Sequence, residues 1–287
     1  MRAWRKTGLA AVRAAILGAL VAGAPALAAE EAPQRVVSMN LCTDQLAMLL
    51  AAEGQLLSVS AVARDPRSSA MAEEAGGYHA NRGLAEEVYL LKPDLVLAGT
   101  YTTRATVEML RRLGVRVETF ELARSLDDVR DRIARMGAVL GREAAAEALT
   151  AEFDRRRASL TRLVARRPSA VLYQANGYTS GDRSLAGEIL LAAGFENAAG
   201  AAGFPQGGRM PLEMLAMAAP EAIVTSRPYP GASRAEDILD HPVVREMRRA
   251  RGAGSFTDHD WVCGTPHVLR AIEGLIPLRD ALLAGDP

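Results

Sequence analysis

The chain has 287 residues, of which 49% are hydrophobic and 24% charged, with 34 basic side chains against 34 acidic ones. This is enough apolar sequence for one large core or two modest ones, and it lacks the basic excess that a nucleic-acid binder needs. Two cysteines, Cys42 and Cys263, are too few for a disulfide-built scaffold and do not have metal-finger spacing.

Residues 1–28 differ from the rest. Arg2, Arg5, Lys6 and Arg13 precede an apolar stretch over 14–24, and Ala26-Leu27-Ala28 supplies an A-x-A site. This pattern predicts a cleaved secretory signal and a periplasmic location. No cysteine follows the site to take a lipid. Cleavage would remove four basic residues and no acidic one, leaving 30 against 34 and a net charge near −4. No later segment is apolar for long enough to span a bilayer.

From 34 to 140 strands and helices alternate. Expected strands cover 36–38, 56–60, 95–98 and 115–120. Expected helices cover 43–52 (with Thr43 and Asp44 as capping candidates), 86–91, 106–113 (stopped by Gly114) and 126–140. Such alternation predicts a mostly parallel sheet covered on both faces. Residues 141–167 contain no internal proline or glycine after Gly141, with acids early and arginines late, as a helix dipole favours. They predict one rod of about 37 Å. A second α/β lobe is expected over 168–287, closing with a helix at 266–283.

Several pieces occur twice. EEVYLLKPDLVLAG (86–99) pairs with EMLAMAAPEAIVTS (213–226), RVVSMN (35–40) with SAVLYQAN (169–176), and LLAAEG (49–54) with LLAAGF (190–195). The fold class is therefore α/β: two similar lobes, each a mostly parallel sheet flanked by helices, bridged by a single long helix. A cleft between such lobes is where a ligand is expected.

The order of VVSMN, LKPDLVL, the interlobe rod and DWVCGTP resembles the periplasmic substrate-binding proteins of ABC importers for cobalamin, haem and ferric siderophores. The resemblance covers the whole chain after the signal. It implies a monomer that performs no chemistry and delivers a metal chelate or tetrapyrrole to a permease dimer with its ATPase. It also implies that Glu86 and Glu213, one per lobe, dock onto permease arginines. No resident cofactor or metal site is expected.

Ligands of parallel sheets sit beyond the carboxyl ends of the strands. That rule selects Asn40, Cys42, Arg64 and Tyr101 from the first lobe. From the second it selects Gln174, Asn176, Tyr178, Arg227, Tyr229, Trp261 and Cys263. The tyrosines and Trp261 offer flat surfaces, and Arg64, Arg82, Arg209 and Arg227 could pair with ligand anions. Tyr101 or His259 could ligate haem iron. The family alignment puts both cysteines at the cleft, where three readings stand open: a disulfide across the cleft, two thiols gripping a soft metal centre, or unpaired silent cysteines. The alternatives in function are a binder of a bare transition metal and a secreted enzyme of unrecognised type. For the latter there is no G-x-S-x-G, HExxH or P-loop sequence.

Overall fold

In a computed structural model, which describes residues 31–161, 164–227, 233–256 and 258–285, the alternation forms two separate parallel sheets. The expected signal, 1–28, lies outside the described residues. The first sheet contains β1 (Val36–Ser38), β2 (Leu56–Ser60), β3 (His79–Asn81), β4 (Leu95–Gly99) and β5 (Arg116–Phe120), in the order β3-β2-β1-β4-β5. Its helices are α1 (Leu41–Leu50), α2 (Ala72–Ala75), α3 (Ala85–Leu90), α4 (Arg104–Arg112) and α5 (Leu126–Leu140). After α6 (Glu143–Leu160) come β6 (Ser169–Leu172), the two-residue strands β7 (Tyr178–Thr179), β8 (Glu196–Asn197) and β9 (Gly208–Arg209), then β10 (Ala222–Ser226) and β11 (Gly252–Phe256). The second parallel sheet has the order β11-β10-β6-β8, while β7 and β9 form a small antiparallel pair. Helices α7 (Leu185–Ala192), α8 (Ala198–Ala201), α9 (Leu212–Ala218), α10 (Pro242–Ala250), α11 (Asp258–Trp261) and α12 (Val268–Ala284) complete the chain.

Side-chain alternation along the strands determines how the sheets are covered. Val36, Leu95 and Leu97 of the first sheet, with Ala170, Leu172, Ala222 and Val224 of the second, enter one continuous core. Leu46, Ile133, Met136, Phe153, Ile189, Val268 and Ile272 of the helices fill it. The opposite residues face outward into two satellite cores. Val37, Val96 and Val117 meet Val88 and Leu110, whereas Val171 and Ile223 meet Leu215 and Val244. The two sheets thus share a central core and each has its own outer layer.

The expected rod over 141–167 is shorter than predicted. Its helix is Glu143–Leu160, 18 residues or about 27 Å, and it lies antiparallel along α5. Gly141, left-handed at φ 66°, ends α5 and turns the chain back. Gly137 of α5 then faces Ala146 so closely that a Cβ on Gly137 would come within 2.3 Å of the Ala146 Cβ. Ion pairs Arg130–Asp154 (3.0 Å) and Arg157–Asp127 (2.6 Å) hold the far end of the hairpin. The capping candidates at α1 are also corrected: the cap is Asn40, whose side chain accepts from the Cys42 amide at 3.1 Å, while Thr43 and Asp44 lie inside the helix and are buried.

Candidate functional site

The carboxyl ends of the two sheets meet where α1 leaves β1 and where α11 and α12 follow β11. Cys42, in the first turn of α1, is joined to Cys263 by a disulfide with Cα atoms 5.0 Å apart. Thr265 lies within hydrogen-bond distance of the Gln45 side chain at 3.3 Å, and both are buried. Of the three readings for the cysteines, the structure contains the disulfide. Thiol ligation is excluded here, because each sulfur is the other's partner and both residues are buried. Trp261 is 6% exposed and packs in the shared core. Asn40 is half-buried and serves as the α1 cap, with its amide pressed against Gly99, where a Cβ would come within 2.8 Å.

The other expected residues fall into separate places. Tyr101, 81% exposed, lines a cavity of about 450 Å³ beyond β4 and β5, beside α5. Arg227 is exposed and lines another cavity, of about 300 Å³, beyond β10 and β11. Arg64 is also exposed but turns its guanidinium to the carbonyls of Ala75 and Tyr78, where it ties down the loop around α2. Gln174 is half-buried, while Asn176, left-handed at φ 57°, and Tyr178 are exposed at the turn after β6. Arg209 is exposed in β9, and His259 sits 3.4 Å from the Asp260 carboxylate. Tyr229 lies outside the described residues. Among the described residues, no group of three His, Cys, Asp or Glu could hold a metal ion.

The repeated segment builds the same device in each lobe. Glu86 and Glu213 are exposed in the first turns of α3 and α9. Four residues on, at one helical turn, stand Leu90 and Met217, 77% and 83% exposed. Two residues after the glutamates, Val88 and Leu215 are fully buried and anchor each helix. Each helix ends in a left-handed residue before proline, Lys92 at φ 50° and Ala219 at φ 45°. An arginine holds the carbonyls of each turn: Arg35 donates to Leu91 and Lys92, Arg251 to Ala219 and Pro220. The acid after the proline secures the start of the lobe's first strand. Asp94 accepts from the Arg35 amide at 3.0 Å, Glu221 from the Ser169 amide at 2.8 Å.

Two features were missed from sequence. Asp44 is fully buried and takes a hydrogen bond from the Ser60 hydroxyl; burial raises its carboxyl to about 6 against the opposing hydrogen bonds of Ser38 and Ser60. Arg132 occupies the inner face of α5, 8% exposed, and lines the Tyr101 cavity. The signal for it was present: Leu126, Val129, Ile133, Met136 and Leu140 define the buried stripe of that helix, and Arg132 falls on it.

The sequence pattern of the periplasmic binding protein family matches residues 36–252. A cobalamin-binding protein of Halobacterium salinarum is 30% identical over 208 residues, covering 70% of this chain and 56% of the relative. The chain thus spans a little over half the length of the curated relatives that it matches. Among solved structures, the periplasmic haem-binding protein RhuT of Roseiflexus sp. RS-1 in apo form superposes with a TM-score of 0.71 at 20% identity, over 87% of this chain and 99% of that one. The periplasmic vitamin B12 binding protein BtuF of Vibrio cholerae superposes with 0.65 at 17% identity, over 88% and 98%. These likenesses establish the fold. The match over most of the chain settles its kinship: it belongs to the periplasmic binding protein family.

Proposed function

We propose that this chain is the exported substrate-binding component of an ABC importer, capturing a metal chelate or tetrapyrrole between its lobes and handing it to a permease dimer. Family membership supports a binding role without catalysis. The cobalamin-binding and haem-binding relatives support the ligand class. The Cys42–Cys263 disulfide favours an oxidising compartment, in keeping with export by residues 1–28.

The observation that carries delivery to a dimer is the twin device around Glu86 and Glu213. A carboxylate and a bare apolar side chain, one helical turn apart, stand on each lobe on a helix braced in the same way. Neither Leu90 nor Met217 is buried by its own lobe. A two-fold partner that presents a basic group and an apolar seat twice would engage both copies at once, and would sense the distance between them. Tyr101, Gln174, Asn176, Tyr178, Arg227 and Tyr229 remain the residues proposed to face ligand. Those that are described are exposed or half-buried beyond strand ends.

Glu86→Arg/Glu213→Arg tests the reading in one experiment. Protein isolated from its own cells is expected to keep the absorption band of its ligand: a Soret band for haem, corrinoid bands for cobalamin, or charge-transfer absorption for a ferric chelate. Uptake of that compound is expected to fall at least tenfold. Undiminished uptake removes the docking role, and a colourless, metal-free wild-type protein removes the ligand class.

A further inference from the structure

Arg132 poses a problem that the fold alone does not solve. Its guanidinium belongs to a residue 92% buried, its Nε and Nη1 have no hydrogen-bond partner, and it forms no ion pair with any described residue. Leaving a charged donor group buried and unmatched costs several kcal/mol. Desolvation lowers its pKa to about 10, opposed by the field of Asp128. Asp128 is itself engaged: its carboxylate closes the capping box of α5, accepting from the amides of Arg124 (2.7 Å) and Ser125 (3.1 Å). The neighbouring Arg135 is also committed, lying 4.6 Å over the Phe120 ring and 3.6 Å from Glu118. Arg132 is therefore, among the described residues, the one buried cation without a partner in the lining of a cavity of about 450 Å³ that Tyr101 also lines, and Gly264, next to the disulfide, packs against Ala123.

The geometry points to this cavity as an anion subsite, in which Arg132 takes a carboxylate or phosphate group while Tyr101 and the Arg124 side chain close over it. Guanidinium matches both oxyanions in shape and charge, and Arg124 and Arg135 on the same wall offset the carboxylates of Glu121, Asp128 and Asp131 that also line the cavity. The volume suits one polar arm of a larger molecule. The inference depends on the proposed function only for the molecule that carries the anion, since the subsite itself needs nothing but an oxyanion.

The test is thermal unfolding of the mature chain in sodium citrate, in sodium phosphate and in sodium chloride at matched ionic strength. A ligand that binds only the folded state raises the midpoint. Wild type is expected to gain several degrees in citrate, in phosphate or in both over chloride. The preference between the two identifies the oxyanion. Arg132→Met is expected to lose the gain entirely, and Arg132→Lys, which keeps a cation, to retain a reduced one. An equal gain in the methionine and wild-type chains overturns the subsite, as does the absence of any gain in wild type. Titration of both chains with haem and with cyanocobalamin separates the two readings. Chelate binding without an anion effect sinks the Arg132 subsite alone, and an anion effect without chelate binding sinks the ligand class alone.

Discussion

At the residue scale, Asp44 shows how much this structure spends on polar groups under its seam. It lies in α1 two residues after Cys42, fully buried, with the Ser60 hydroxyl on its carboxylate. Burial favours the neutral acid, so its folded-state pKa is about 6 against 3.8 for the solvated group in the open chain. The sign follows from linkage. A carboxyl raised on folding binds its proton more tightly in the native state, so its stabilising contribution is complete below about 4 and disappears as pH rises through about 6. Asp44→Asn removes that titration and keeps the shape. The stability of the variant relative to wild type is therefore expected to increase between those two pH values by on the order of 3 kcal/mol. Urea unfolding at several pH values checks this, and parallel stability curves for the two proteins would contradict it. Subtracting wild type cancels other groups, including His267, whose imidazole is pushed down to about 4 chiefly by burial and so acts in the opposite sense.

At the element scale, the α5–α6 hairpin decides how the lobes are joined. The two helices approach closely because Gly137 has no side chain where Ala146 crosses it. Gly137→Leu should force the helices apart and lower stability by about 1–3 kcal/mol, as overpacked cores do. Denaturant unfolding measures it, and an unchanged midpoint would show that the crossing is loose. This element also marks the limit of sequence reading. Acid-to-arginine patterning predicts one rod over 141–167 that stops at Pro168, yet the helix ends at Leu160, and nothing in periodicity reveals that it doubles back on α5. Strands rich in Val and Leu, such as Val36–Ser38 and Leu56–Ser60, are legible to the residue because both faces are covered. The short strand at His79–Asn81 is not, since its residues are exposed or held by side-chain hydrogen bonds such as those of Asn81 to Ser38 and Ser58. Strand-end logic selected Tyr101 and Arg227 for one cleft, although the structure has them lining two cavities, beyond β4 and β5 and beyond β10 and β11. It overlooked Arg132 because charged residues were sought in loops, while this one lies on the buried stripe of a helix.

At the scale of the whole molecule, the question is how far the two lobes can move. Among the connections that join them are the shared core, the α6 strut, and the bond between Cys42 and Cys263. The core is non-covalent, and the strut is a continuous part of the polypeptide. The third closes a loop between residues 221 apart in sequence, so its effect is chiefly to restrict the unfolded chain. Chain-entropy arguments give about 5 kcal/mol for a loop of that size, and native disulfides typically deliver about 2–5 kcal/mol. Cys42→Ser/Cys263→Ser should thus lose stability within that range, and reductant should shift wild type by the same amount while leaving the double variant unmoved. The bond also fixes the first turn of α1 against the loop before α12, so the lobes can rock about the seam but cannot part there. Small-angle scattering distinguishes the two effects. If the staple limits motion as well as unfolding, the native double variant should show a larger radius of gyration than wild type, and saturating ligand should reduce it. Equal radii, with the stability loss present, would mean that the shared core alone sets the range of motion and that the disulfide acts only on the unfolded state.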